Sequence, residues 1–308
     1  MPELSPPPVS PEPGPAPPDA ALRWAAAVAG GGPARLLRPL NDHGSPWLLQ
    51  AGPRQVVLRT GQPAEADMFA TEAAGLAVAA AAGFPVPRLL GHDGGTAAGR
   101  PVLLVTCVPG RSAIPATASP ARLAALGAVT ARLHTLPRMP GRRLPRRICP
   151  IGAIGQAALQ GGDGAGPLRR GAAARLRRVR PASDRTVFVH GDLWQGNVLW
   201  DGDELTGVVD WDCAGAGPPG VDLGSLRMDA AFCYGQAAAG DVLAAYERAA
   251  GAPAADVAYY DVVAALATPP ELGWFPPVMA AQGRPDLTRE VLVRRHETFL
   301  AAALDRLA

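Results

Sequence analysis

The chain has 308 residues, 48% of them hydrophobic and 18% charged, which allows one large domain or two lobes and excludes a wholly disordered chain. A formal net charge of +2 gives no electrostatic case for a nucleic-acid partner. No run of about 18 apolar residues is present, so no membrane span is expected.

Residues 1–18 are Pro-rich, with Pro6–Pro8 and Pro17–Pro18, and are expected to form a disordered or polyproline arm. This N-terminus has neither a basic start nor an apolar core, so it does not read as a signal peptide. Cys107, Cys149, Cys213 and Cys233 lack metal-site spacing and read as free thiols in a reducing, cytoplasmic compartment. Ala20–Val28 is a short apolar helix stopped by Gly30-Gly31-Gly32-Pro33. Leu36–Leu40 and Trp47–Gln50 read as strands around the turn Asn41–Ser45. Gln55–Arg59 is the next strand, and Arg59 taken alone is an exposed strand residue.

Ala64–Ala82 is helical, with Phe69, Glu72, Leu76 and Ala80 on one face. A Glu on an apolar stripe is costly unless paired, and Arg59 on the adjacent strand is a natural partner. A solvated Glu at the edge of the stripe is the alternative. Phe84–Gly91 leads to another strand, the apolar run Pro101–Val108 follows, and Pro109-Gly110 marks a boundary. Ser119-Pro120 supplies a cap and a first-turn Pro to a helix whose Leu123, Leu126, Val129 and Leu133 form a core stripe. His134 at its end reads as a packing or capping residue. Residues 138–185 hold twelve Arg, are broken by Gly161–Gly166, and read as a solvated surface with one Arg-studded helix near Leu168–Val179.

The densest signal comes next: His190-Gly191-Asp192-Leu193-Trp194-Gln195-Gly196-Asn197, followed by Val208-Val209-Asp210-Trp211-Asp212. Thr186–Val189 is an apolar lead-in. Val198–Trp200 and Leu205–Val209 read as strands around an Asp201-Gly202 hairpin signal. A hairpin of this length returns its ends together, which sets Asn197 beside Asp210 with Asp192 just upstream. These are oxygen ligands for a hard cation. Mg²⁺ takes one or two protein oxygens, with phosphates and water completing the octahedron. Asp192 is left to accept a proton or orient a nucleophile. Each of the three alone is an ordinary turn residue. Together, at this spacing, they point to a site. Gly215–Gly220 then shapes a tight loop, Asp222 opens a helix, and three more helical stretches lie near 237–250, 254–267 and 287–307.

The spacing matches the kinase catalytic loop His-Arg-Asp-Leu-x-x-x-Asn, with Gly191 in place of Arg. His-Gly-Asp-x-x-x-x-Asn followed by a strand-borne Asp resembles the aminoglycoside phosphotransferase family, small-molecule kinases with a protein-kinase-like fold. The Leu-Trp-x-Gly-Asn ending also resembles the related fructosamine kinases. The resemblance is strong over 186–224 and weaker over 56–90. It implies an α+β, two-lobed protein-kinase-like fold. A small antiparallel-sheet N-lobe would span 19–108, and a mainly helical C-lobe 109–308. It implies Mg²⁺ and ATP, with Asn197 and Asp210 as metal ligands and Asp192 as the catalytic base. Arg59, set by Glu72, would grip the phosphates, in a place where Lys is the commoner residue of kinases. The turn that ends at Ser45 would cover the phosphates. Backbone groups near Thr106, Cys107 and Val108 would meet the adenine edge. Asp222 would brace the catalytic loop.

The implied reaction moves the γ-phosphoryl group of ATP to a hydroxyl of a small, cationic molecule, with an aminoglycoside or related amino sugar placed first. Val-Val-Asp-Trp-Asp and the acids Asp229, Glu247, Asp256, Asp261, Glu271, Asp286, Glu290 and Glu297 lean that way. Acceptors of fructosamine, choline or homoserine type are the alternative. A non-catalytic nucleotide-binding regulator is a third reading, for which only the Arg59-for-Lys exchange speaks.

Overall fold

The structure is a computed structural model that describes residues 16–41, 44–137, 141–160 and 166–307. Most of the Pro-rich arm, Asp42 and His43 of the first turn, and Gly161–Ala165 of the Arg-rich stretch lie outside the described residues. The chain divides into two compact units. One runs to Phe69 and adds Leu89–Cys107; the other takes Ala70–Arg88 and everything from Val108 onward.

The first unit is a helix on an antiparallel sheet. Its elements are α1 (Asp19–Val28), β1 (Ala34–Asn41), β2 (Gly44–Ala51), β3 (Arg54–Thr60), β4 (Leu89–Gly94) and β5 (Pro101–Thr106), with strand order β1-β2-β3-β5-β4. Alternation sets the register: Trp47 faces Leu58 across β2 and β3, and Leu58 faces Leu104 across β3 and β5. These side chains are buried together with Ala21 and Ala25 of α1, so the small residues of the helix let it lie close to the sheet.

Helix α2 (Ala66–Ala81) begins in the first unit and belongs to the second from Ala70. A single 3-10 turn, Pro63–Glu65, starts it. There the Glu65 carboxylate accepts the Gln62 backbone N–H at 2.6 Å, which satisfies an amide that the helix cannot.

The second unit is mainly helical: α3 (Pro120–Leu133), α4 (Gly152–Gln160), α5 (Pro167–Leu176), α6 (Gly220–Tyr234), α7 (Gln236–Ala250), α8 (Val257–Ala267), α9 (Phe275–Ala281) and α10 (Arg289–Arg306). Ser119 caps α3 by accepting the Arg122 N–H, and Leu123, Leu126, Val129 and Leu133 are buried as the stripe requires. Two short sheets complete the unit: β6 (Val187–Val189) with β9 (Gly215–Gly217), and β7 (Val198–Asp201) with β8 (Glu204–Val208).

Helix α6 is its axis, buried from Gly220 through Cys233. A helix buried all round must satisfy every polar side chain it carries. Arg227 does so with a two-armed pair to Asp261 of α8 at 2.9 and 2.8 Å, and Arg306 of α10 reaches the same carboxylate at 3.2 Å.

Two local features depart from the sequence reading. Helix α4 forms inside the 138–185 stretch, where only the helix near Leu168–Val179 was expected. Arg169, expected on a solvated face, is buried and donates to the Ala265 and Leu266 carbonyls at 2.8 and 2.7 Å. Those carbonyls end α8, where a cation complements unsatisfied oxygens and the helix dipole. Among the described residues no helix is long and apolar enough to cross a membrane, and all four cysteines are free.

Candidate active site

Both motifs hang on the two small sheets of the second unit. Strand β6 delivers the loop His190–Asn197, whose last three residues form a 3-10 turn. Strands β7 and β8 make the hairpin, and β9 returns to pair with β6, Val187 facing Gly217 and Val189 facing Gly215. The ends of the hairpin meet: Val209 N–H donates to the Asn197 carbonyl at 2.9 Å. Asp210 follows in the left-handed region, φ 66° and ψ 63°, a conformation that an Asp tolerates better than most residues. Non-glycine residues held there are strained and cluster at functional sites.

Beneath the loop lies Trp211, fully buried. Its indole N–H donates to the Val208 carbonyl at 3.0 Å, and its ring stacks on Phe188 and leans on His190. Gly191 has φ +82°, and a Cβ there would run into the Cys213 carbonyl oxygen. The loop can approach the Asp210–Cys213 turn this closely only with Gly at that position.

Hydrogen bonds hold Asp192 and Asn197 to each other. The Asn197 side-chain amide donates to the Asp192 carbonyl at 2.9 Å and reaches a carboxylate oxygen of Asp192 at 3.4 Å. With its NH₂ group so engaged, Asn197 presents Oδ1 as its remaining polar atom. His190 joins the motifs: its Nδ1 accepts the Asp192 N–H at 3.3 Å and its Nε2 lies 2.9 Å from the Val209 carbonyl, so the ring proton is on Nε2. Burial pushes the Asp192 carboxyl well above the usual carboxylate range, and the charges of Asp210 and Asp212 push it further.

Helix α6 clamps this loop at both ends. Asp222 accepts the His190 and Gly191 N–H groups at 2.9 and 2.8 Å. His134 stands 3.3 Å from the same carboxylate and 2.9 Å from the Tyr246 hydroxyl, so it orients Asp222. Seven residues along the same face, Asp229 accepts the Gln195 backbone and side-chain N–H groups at 3.2 and 2.8 Å. Sequence reasoning assigned no role to Gln195 or Tyr246, and read Asp229 only as one of several C-terminal acids suited to a cationic acceptor. The one readable signal was the seven-residue spacing of Asp222 and Asp229, two turns of one helix.

Asp192, Asn197 and Asp210 line one cavity of about 250 Å³, together with Trp194, Phe232, Trp274 and Asp229. The other expected residues each belong to one of the two units. In the first unit, Arg59 is on β3 opposite Leu103, with its guanidinium 5.7 Å from the Phe69 ring centre. The Ser45 hydroxyl bridges to Thr60, accepting its N–H at 3.0 Å and donating to its carbonyl at 3.2 Å. Thr106 ends β5 opposite Val56, and the next N–H, of Cys107, donates to the Gln55 carbonyl at 3.3 Å. In the second unit, Glu72 is buried in α2, and Val108 packs against the backbone of Gly207.

The donor set suits Mg²⁺. Asn197 Oδ1 and the Asp210 carboxylate are hard oxygens beside a third carboxylate, Asp192, whose charge is disfavoured without a nearby cation. Among the described residues no group of three or more His, Cys, Asp or Glu is arranged to hold an ion alone. An ion here would be shared with phosphate oxygens and water, as Mg²⁺ ordinarily is.

A family model described as "Phosphotransferase enzyme family" matches residues 37–266. A 63-residue stretch is 47% identical to viomycin phosphotransferase of Streptomyces vinaceus, covering 19% of this chain and 21% of that protein. Among solved structures, an aminoglycoside-3'-phosphotransferase of type VIII matches with a TM-score of 0.57 and 24% identity, over 80% of this chain and 97% of that one. The macrolide 2'-phosphotransferase of Brachybacterium faecium matches with a TM-score of 0.58 and 21% identity, over 94% and 97%. Amicoumacin kinase, solved with AMP-PNP and Ca²⁺, matches with a TM-score of 0.55 and 15% identity, over 87% and 88%. The chain therefore belongs to the phosphotransferase enzyme family and has the α+β, protein-kinase-like fold of the aminoglycoside and macrolide phosphotransferases.

Proposed function

We infer that the protein transfers the γ-phosphoryl group of ATP to a hydroxyl of a small molecule. What carries this reading is the set Asp192, Asn197 and Asp210 lining one cavity, on a loop clamped by Asp222. Phosphoryl transfer needs positioning and charge neutralisation more than covalent chemistry, and this site is built of positioned oxygens. The AMP-PNP and Ca²⁺ bound by amicoumacin kinase support a nucleotide with a divalent ion.

In this reading Asn197 and Asp210 hold Mg²⁺, which when bound neutralises charge on the phosphates. Arg59, set by Glu72, grips nonreacting phosphate oxygens, and the segment ending at Ser45 covers them. Backbone groups near Thr106 and Val108 meet the purine. Residues 19–108 serve the nucleotide, and 109–308 serve metal and acceptor. Asp192 accepts a hydrogen bond from the acceptor hydroxyl and aligns it in line. As the new O–P bond forms and the bond to the β-phosphate oxygen breaks, the hydroxyl proton passes to the Asp192 carboxylate.

On likeness to relatives alone, before the cavity walls are weighed, an aminoglycoside or related amino sugar stands first as acceptor, supported by the aminoglycoside phosphotransferase among the structural neighbours. Fructosamine, choline and homoserine types stand second. The test is ADP release from Mg²⁺–ATP against a panel of these acceptors, wild type beside Asp192→Ala. Acceptor-dependent release should fall by roughly 10²–10⁴ in the variant. Nucleotide binding with no release against any acceptor would favour a regulator instead.

A further inference from the structure

The cavity beside Asp192 narrows the choice of acceptor. Its lining is mostly apolar and includes Trp194, Met228, Phe232, Trp274, Phe275 and Met279. Its volume of about 250 Å³ is below the roughly 300–1,000 Å³ usual for small-molecule pockets, so it holds about one ring. Apart from Asp192 and Asp210, one acidic residue among those described reaches it: Asp229.

Asp229 is only 5% exposed and makes no ion pair with a described residue. One of its oxygens receives both Gln195 donors. The other has only the Cys233 thiol at 3.8 Å, a weak donor. Arg284, the cation that most nearly offsets the charge of Asp229, is engaged by Asp286 at 2.8 and 2.7 Å and by the Cys233 carbonyl at 3.1 Å. Four of the other C-terminal acids named in the sequence analysis are engaged by partners on the chain. Asp261 is paired with Arg227 and Arg306, Asp286 with Arg284, Asp256 accepts the Ala182 and Ser183 N–H groups, and Glu247 accepts the Ala254 N–H.

Resting on the kinase reading, we propose that this cavity is the acceptor pocket and that Asp229 receives the one ammonium group of a hydroxylated, apolar-faced monoamine. A buried carboxylate oxygen with spare acceptor capacity is completed by a cationic donor. Aromatic rings and Met side chains stabilise an apolar face and a single cation beside it. With Asp192 given to the acceptor hydroxyl and Asp210 to the metal, no carboxylate beyond Asp229 among the described lining residues is left for the further ammonium groups of a polyamine sugar, which would lose water without a partner. Burial pushes the Asp229 carboxyl up to about 6, as expected of a carboxylate whose cation comes from outside the chain.

The test is calorimetric binding to the full chain of three probes: 2-amino-1-phenylethanol, its neutral analogue 1-phenylethane-1,2-diol, and the polyamine kanamycin. Wild type should bind the amine at least about tenfold tighter than the diol, the worth of one charge-assisted hydrogen bond, and tighter than kanamycin. Asp229→Asn should erase the difference between amine and diol. Kanamycin binding tighter than the amine, an unchanged preference in Asp229→Asn, or no binding of the amine at millimolar concentration would overturn the proposal. The wild-type comparison decides by itself if the variant does not fold. ADP release is followed alongside: kanamycin phosphorylated and bound most tightly would sink this pocket assignment while leaving the kinase standing. Amine binding erased by Asp229→Asn, with no acceptor of any kind phosphorylated, would sink the kinase reading and leave the amine site.

Discussion

His190 and Val209 are joined by one hydrogen bond, from the imidazole Nε2–H to the carbonyl oxygen at 2.9 Å. It ties the residue two before Asp192 to the residue just before Asp210. The candidate base and a candidate metal ligand therefore move as one piece. His190→Ala would leave the Val209 carbonyl and the Asp192 N–H without their partner and open a gap under Trp211. Urea denaturation should show a loss of about 2–4 kcal/mol. Turnover should fall more than ATP affinity does, because the variant loosens the spacing of groups that already exist.

Asp222 gives a graded version of the same test. Its two oxygens hold the N–H groups of His190 and Gly191. Asp222→Ala orphans both buried amides and should cost about 3–5 kcal/mol, measured by chemical denaturation. Asp222→Asn keeps one acceptor oxygen but places an NH₂ group against an N–H donor, so its loss should be of similar sign and smaller. If both variants matched wild type in stability and turnover, the clamp would have no mechanical role.

Asp229 predicts a pH dependence of stability. Its carboxyl is pushed by burial from 3.8 to about 6, so the native state prefers the protonated form. The stability linked to that proton is fully present below about pH 4 and is lost as pH rises through about 6. Asp229→Asn removes the titration. At pH 7 the variant should be the more stable protein by up to about 3 kcal/mol, with the gap closing by pH 4. Thermal melts at several pH values read this directly. A gain in stability with a loss of acceptor binding would mark Asp229 as a residue kept for function.

Metal dependence can be read without knowing the acceptor. Mg²⁺ and ATP together should raise the melting temperature, as any ligand selective for the native state must. EDTA should remove the increment. Asn197→Ala and Asp210→Ala should each reduce the metal-dependent part while the proteins remain folded. An undiminished shift in both variants would move the ion to other residues.

What the sequence by itself determined was local. Ser119-Pro120 starts α3, Asp201-Gly202 turns the β7–β8 hairpin, and the hairpin brings Asn197 back to Val209 and Asp210, because turn chemistry and strand pairing act over a few residues. The five-residue step from Asp192 to Asn197 belongs to the same class. Contacts across 30 to 130 residues of chain were decided only by the tertiary structure. Arg169 read as solvated from its basic neighbours, yet it ends a helix 96 residues away. His134 read as a cap, yet it braces Asp222. Asp229 looked like one acid among many, and became distinct once it was seen buried on the wall of the cavity that Asp192 lines. Side-chain type specifies what a group can bind. Which group still has an open valence facing a cavity depends on how the whole chain packs, and no local pattern encodes that.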